Sequence, residues 1–285
     1  VDGGHGGISG VMVASLNPER PLDDDYLEFV SHIARLVGSA LESAYRRAVE
    51  VDTYRSISDT LQNAMLTPVR DFPTVAARYV PAVGRLSVGG DWYDVVDLDD
   101  HRRGLIVGDC VGHGLDAATA MGQLRSAARA MLIEEKDPAE VLAALDRFAA
   151  STDSAFGATV VCAVIDREIG SVTYARAGHP PPLLVGPDGA TWLASQVGPP
   201  LATVKDAVRQ NHTVPLRSGD VVVLYTDGLI ERRGEVIDEG MRRLEASARA
   251  TYGAPVHQMA DTIMRDLVVG DTADDVVLVV KRLEA

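Results

Sequence analysis

Lysine is nearly missing from this chain. It stands only at positions 136, 205 and 281, and all lysines and arginines together number 27 against 41 aspartates and glutamates. The basic residues are scattered, so no stripe is available to neutralise a phosphate backbone, and nucleic acid is excluded as a partner. Cysteine is scarce as well. Cys110 and Cys162 lie in apolar, strand-like sequence, too few for a disulfide framework or a thiolate zinc site, and read as reduced and inert. No apolar run reaches the roughly 18 residues that a membrane span needs, and the opening VDGGHGGISG has neither the basic nor the apolar region of a signal peptide. A soluble, cytoplasmic protein with no membrane partner is the expectation. Repeats of roughly 20 to 50 residues and low-complexity tracts are also missing, which excludes solenoids and propellers.

The 285 residues present allow one large domain or a domain with an appendage. The chain begins at Val1 with ISGVMVASL, which reads as the end of a strand, so a piece of something longer is expected. After NPERPLDDD a helical pattern runs for about forty residues, with Asp23 to Asp25 suited to the positive N-terminal end and Pro68 to stop it. Phe29, Ile33, Leu36, Ala40 and Ala44, then Ala48, Val51, Tyr54, Ile57 and Leu61, recur near a heptad period. A helix of this length reads as a dimerising or domain-linking coil; the alternative is two shorter helices broken near Glu50, the first packing on a preceding domain.

From residue 70 the pattern changes to short apolar runs, and a second, self-contained domain begins. The runs predict strands near 76–82, 91–98, 104–109, 158–166, 171–177, 182–186, 190–194, 209–214, 220–226 and 275–282. Helical spacing predicts helices over 114–134, 138–151, 238–251 and 255–268. Many strands joined by tight turns, with helices entering in pairs, indicate an α+β fold with a sheet-on-sheet core covered by helices.

Four aspartates stand at strand ends: Asp91 in GGDWYD, Asp109 in GLIVGDCVGHG, Asp227 in VVVLYTDGLIE and Asp274 in DTADDVVLVV. If neighbouring strands are antiparallel, the ends at Asp109 and Asp227 share an edge with the start at Asp274. Carboxylates gathered there would repel one another, an arrangement that makes sense chiefly around cations, and oxygen ligation suits Mg2+ or Mn2+ over zinc. Singly, each motif has a plain reading: Asp227-Gly228 is common turn chemistry, and Asp274 and Asp275 could open a strand. The GDCVGHG turn lacks the Lys and Ser/Thr of a P-loop.

Taken in order, GGDWYD, VGDCVGHG, AGHPPPLL, LYTDGLIE and DDVVLVV change that balance. Over residues 70–285 the chain resembles the SpoIIE-type, RsbU-like branch of the metal-dependent PPM serine/threonine phosphatases. The resemblance implies an α-β-β-α sandwich with two Mn2+ or Mg2+ ions at one end of the sheets. It implies that Asp91, Asp109, Asp227 and Asp274 bind metal, with Asp109 between the ions and Cys110 giving only its backbone carbonyl. Gly89 and Gly90 would let the backbone approach, and Asp94 could hold a metal-bound water. His113 stands two residues later than the histidine of the wider phosphatase family, so it is read as shaping the turn beside the site, and His179 as bracing the proline-rich turn that follows it.

Residues 1–47 resemble, on GVMVASLNPERPLDDDYLEFVSHIARLVGSALESA, the C-terminal end of a GAF sensor domain, and 48–69, on SISDTLQNAMLTP, the helical linker that precedes this phosphatase type. The resemblance implies a homodimer signalling through its linker. The expected activity is hydrolysis of phosphoserine or phosphothreonine on a bacterial signalling protein, by family analogy a STAS-type anti-sigma-factor antagonist. The alternatives are a catalytically silent dimeric scaffold and a hydrolase of small phosphate esters. No basic phosphate-gripping residue was expected near the motifs, which favours a protein substrate held by extended contacts.

Overall fold

The computed structural model of the chain describes residues 2–3, 7–8, 13, 15, 19, 21, 23–65, 73–82, 89–112, 114–135, 137–152, 155–194, 197–270, 272 and 274–284. Contacts divide it into two compact units, Val1–Ile57 and Ser58–Ala285. In the first, β1 (Asp2–Gly3) pairs antiparallel with β2 (Gly7–Ile8). Most of the strand expected over ISGVMVASL lies outside the described residues.

Helix α1 (Asp24–Met65) is one continuous element of 42 residues that passes Glu50 without a break. The Asp23 carboxylate starts it by accepting the Tyr26 N–H at 2.9 Å, satisfying an amide that the first turn leaves without a partner. Its apolar residues Leu27, Phe29, Leu36, Leu41 and Tyr45 are exposed. Among the described residues no helix is long and apolar enough to cross a membrane.

The second unit contains two five-stranded sheets. One has the order β10-β7-β6-β5-β4, from β4 (Trp92–Asp97), β5 (Arg102–Asp109), β6 (Thr159–Asp166), β7 (Ser171–Ala177) and β10 (His212–Pro215). The other has the order β3-β12-β11-β8-β9, from β3 (Val75–Val80), β8 (Leu183–Gly186), β9 (Gly189–Trp192), β11 (Val221–Tyr225) and β12 (Val276–Arg282). Every pairing within these sheets is antiparallel.

Strand alternation sorts the side chains into three apolar layers. Tyr93, Leu105, Val107, Val161, Val222, Leu224, Val277 and Val279 fill the space between the sheets. Their neighbours Trp92, Val96 and Ile106 face outward onto Met121, Leu124 and Leu132 of α2 (Leu115–Glu135) and Leu142 and Leu145 of α3 (Pro138–Ala150). On the other side, Val221, Val223, Tyr225, Leu278 and Val280 meet α4 (Ile237–Ala250) and α5 (Val256–Leu267). Each fully buried aliphatic side chain contributes about 1.5–3 kcal/mol. The result is the α-β-β-α sandwich expected from the resemblance.

One strand is shorter than its sequence predicts. The run at 209–214 becomes strand only from His212, because the Arg209 guanidinium turns to the Asp146 carboxylate at 2.6 and 2.7 Å and to the Pro199 carbonyl at 2.6 Å.

Candidate metal centre

Register brings the aspartates to one edge. In the first sheet Trp92 pairs with Gly108, which sets Asp91, just before β4, beside Asp109 at the end of β5, and the Cys110 N–H donates to the Gly90 carbonyl at 3.2 Å. In the second sheet Tyr225 pairs with Leu278, so Asp227 leaves β11 where Asp274 and Asp275 enter β12. Thr226 locks that junction: its N–H donates to the Val277 carbonyl at 3.1 Å, and its hydroxyl accepts the Val277 N–H at 2.9 Å. A one-turn 3-10 helix, Asp227–Leu229, then carries the chain away.

The carboxylates share a field. Asp91 is buried, and its pKa is pushed well above the ordinary carboxylate range by burial and then by the charge of Asp109, with the Thr226 hydroxyl bond opposing the shift. Asp109 rises to about 7, through burial and then repulsion from Asp227, with further contributions from Asp274 and Asp275. Asp227 and Asp275 are raised too, each by burial first and next by Asp274. One Asp91 oxygen, Oδ2, is buried without a hydrogen-bond partner among the described residues. Four carboxylic groups held away from their ionised form, with a buried oxygen unanswered, fit a site built for positive charge. Among the described residues the side chains do not close into a cage of three or more ligands on one point. The donor set is nonetheless all oxygen, as Mg2+ or Mn2+ requires.

Glycine shapes the approach of the backbone. A Cβ on Gly90 would stand 2.6 Å from the Cys110 carbonyl oxygen, so only glycine lets that carbonyl sit at the edge. The Cys110 thiol is pushed up by burial and by Asp109 and stays protonated. Gly112 and Gly114 have φ of +97° and +93°, the left-handed region, and turn the chain into α2. His113 between them lies outside the described residues.

Asp94 is placed on the helix-facing side of β4. It is fully buried, with Arg129 Nη1 at 2.6 Å and Arg125 Nε at 3.7 Å, both from α2, and it accepts the Val95 N–H at 2.9 Å. It ties α2 to β4, the strand that Asp91 precedes.

Three contributors escaped sequence reading. Asp275, read there only as a turn residue, is buried, accepts the Ala82 N–H at 2.8 Å and interacts with the Tyr79 hydroxyl. Thr226 carried no motif signal of its own. Arg232 and Arg233, directly after LYTDGLIE, correct the expectation that no basic residue lies near the motifs. They line an open groove of about 400 Å3 with Gly228, Leu267, Val269 and Asp274. Arg232 donates to the Leu267 carbonyl at 2.8 Å, whereas the exposed Arg233 has no hydrogen-bond or ion-pair partner among the described residues. The doubled arginine was legible in the sequence, but the groove it lines with Leu267, Val268, Val269, Thr272 and Asp274 was not.

Comparison with known proteins agrees with the fold. Residues 99–284 match the family Stage II sporulation protein E (SpoIIE). The chain is 27% identical over 175 residues to the phosphoserine phosphatase RsbP of Bacillus subtilis, an alignment covering 60% of this chain and 43% of RsbP. It is similar to the structure of the RsbU and RsbW domains of Rv1364c from Mycobacterium tuberculosis, with 34% identity and a TM-score of 0.68, over 74% of this chain and 61% of that one. The SiaA PP2C domain of Pseudomonas aeruginosa shares the fold at 22% identity, with a TM-score of 0.70, over 85% of this chain and all of that domain.

Proposed function

The chain belongs to the Stage II sporulation protein E (SpoIIE) family, and from that premise we propose that it is a Mn2+- or Mg2+-dependent protein phosphatase acting on phosphoserine or phosphothreonine. The observation that carries the reading is the edge where Asp91, Asp109, Asp227 and Asp275 are each raised by burial and by neighbouring carboxylates, around an Asp91 oxygen that is buried without a hydrogen-bond partner among the described residues.

Bound there, a pair of divalent ions would supply Lewis-acid activation of water and neutralise phosphate charge. Asp91, Asp109, Asp227 and Asp274 are the residues assigned to hold them, with the Cys110 carbonyl, which Gly90 leaves room for. The Thr226 hydroxyl orients Asp91, and burial of Asp91, Thr226 and Cys110 limits competing solvent. No side chain here is poised as a covalent nucleophile, so direct hydrolysis of the phosphoester is the chemistry assigned.

A protein substrate is supported by the groove beside Asp274, where Arg232 and Arg233 stand with Glu231 and offer cations in a chain whose net charge is −14. By analogy with the family, the phosphorylated partner is a STAS-type antagonist of an anti-sigma factor. The exposed apolar residues of α1 support a second element of the proposal: a GAF-like sensor and a homodimer that signals through the linker helix.

The test is release of phosphate from a phosphoserine peptide and from p-nitrophenyl phosphate, with Mn2+, with EDTA, and with Asp227→Asn. Release that requires Mn2+ and vanishes in the variant is expected. No release together with no Mn2+ binding by calorimetry would overturn the reading and leave a silent dimeric scaffold.

A further inference from the structure

His179 is buried in the bend that follows β7, with 2% of its surface exposed. Its two ring nitrogens reach different sheets. Nδ1 lies 2.8 Å from the Thr159 hydroxyl in β6, and Nε2 lies 2.9 Å from the Tyr225 carbonyl at the end of β11. A carbonyl oxygen can only accept, so Nε2 carries a proton. Burial keeps the ring neutral, which leaves Nδ1 to accept the hydrogen of the Thr159 hydroxyl, so the ring serves once as donor and once as acceptor.

The two partners are placed next to the acid cluster. Thr159 is the cross-strand partner of Asp109. Tyr225 precedes Thr226, which binds Asp91 and the Val277 amide, and stands two residues before Asp227. The bend is itself held, because Arg176 Nη1 donates to the His179 carbonyl at 3.0 Å and the Gly178 N–H donates to the Gly198 carbonyl at 2.7 Å.

We propose that His179 is a positioning residue: a clamp between the two sheets that sets the distance of the Asp91–Asp109 pair from Asp227 and Asp274. The inference rests on the metal-site reading above for its functional consequence, and on the hydrogen-bond geometry alone for the clamp itself. Burying an imidazole in an apolar layer is unfavourable unless both nitrogens are satisfied. A bulky apolar residue would fill the same space, so the histidine is used for its two directed bonds. Supporting groups of this kind, one bond removed from the ligands, typically govern about 10- to 100-fold in metal affinity.

The experiment uses the whole chain and two variants. His179→Phe keeps a ring and removes both bonds; Thr159→Val keeps the β-branched shape and removes one. Amide hydrogen exchange in EDTA reads the clamp without metal, and calorimetry with Mn2+ reads the site. In the variants, exchange at Cys110 and at Thr226 is expected to quicken at least tenfold relative to the far ends of β5 and β11, and Mn2+ affinity to fall about 10- to 100-fold. Thr159→Ser, which restores the hydroxyl, is expected to return both within about threefold. Should His179→Phe fail to fold, Thr159→Val and its serine rescue decide the matter. Unchanged exchange in a folded variant would overturn the clamp, and quickened exchange with wild-type Mn2+ affinity would reduce His179 to a structural role. Wild-type protein that binds no Mn2+ would instead overturn the metal reading, with exchange still deciding the clamp.

Discussion

Replacing Gly90 by alanine tests whether the Cys110 carbonyl belongs to the site. Gly90 is buried, and its backbone does not lie in the left-handed region, so alanine brings no conformational penalty of its own. The added Cβ would meet the Cys110 oxygen at 2.6 Å, the Cys110 Cβ at 3.2 Å and its carbonyl carbon at 3.4 Å. Ordinary contact begins near 3.4 Å, so the oxygen must recede by about 0.8 Å or Gly90 must move with Asp91. Overpacking of this kind costs about 1–3 kcal/mol. In a unit of this size that lowers Tm by roughly 2–12 °C, at about 2–4 °C per kcal/mol. The effect on chemistry should be larger, since a misplacement of about 1 Å costs on the order of 100-fold in rate. Mn2+ affinity by calorimetry, Tm, and phosphate release from a phosphoserine peptide would be measured side by side. Leu132→Ala is the control: Leu132 is fully buried on α2 and contacts β5 at Gly104, four residues from Gly108, and its loss costs about 2–5 kcal/mol. It should lower Tm at least as much while keeping wild-type Mn2+ affinity. A Gly90→Ala protein that binds Mn2+ and turns over within threefold of wild type would refute the placement of this carbonyl.

Two further outcomes are expected. Arg233→Glu should raise KM for a phosphoprotein roughly tenfold, equivalent to about 1.4 kcal/mol, and leave turnover of p-nitrophenyl phosphate unchanged, because the groove touches only what extends beyond the phosphate; equal effects on both substrates would remove the groove from recognition. Burial lowers the His179 pKa from 6.5 to about 4, so between these values the unfolded chain binds a proton that the folded chain does not, and this contribution is complete above pH 6.5 and lost as pH falls towards 4. In urea titrations with EDTA, the loss of stability between pH 6.5 and 4 should be smaller in His179→Phe by up to roughly 3 kcal/mol, and parallel curves would contradict the buried neutral ring.

The sandwich was legible because its strands are short, nearly continuous apolar runs that carry their own ends. VVVLY and VVLVV could only be buried on both faces, as they are between the inner layer and the α4–α5 layer. Asp91, Asp109, Asp227 and Asp274 were legible for the same reason: a charged residue at the end of such a run marks the sheet edge. What could not be read were partnerships set by tertiary packing. Asp94 alternates with Trp92 and Val96 onto the helix side, yet nothing within β4 announces Arg125 and Arg129, which lie more than thirty residues away on α2. Arg209 looked like the start of a strand because its neighbours alternate, and only the half-buried Asp146 carboxylate explains why it turns inward.

Asp275 shows where local reading and function part company. Beside Asp274 it looks like half of a polar turn, and Asp274 itself accepts the Asp275 N–H at 2.8 Å as a turn residue would. Yet Asp274 stays exposed while Asp275 is buried against Gly89 and Tyr79, where a carboxylate is unfavourable by its own desolvation. A fold selected for stability alone would place an amide there, since Asn would keep the Ala82 hydrogen bond without the charge. With Asp91, Asp109 and Asp227 raised for the same reason, the edge runs against folding at four positions at once. Departures from local stability that are concentrated at one place, and share one sign of charge, are the physical mark of a site whose stabilising partner is a cation.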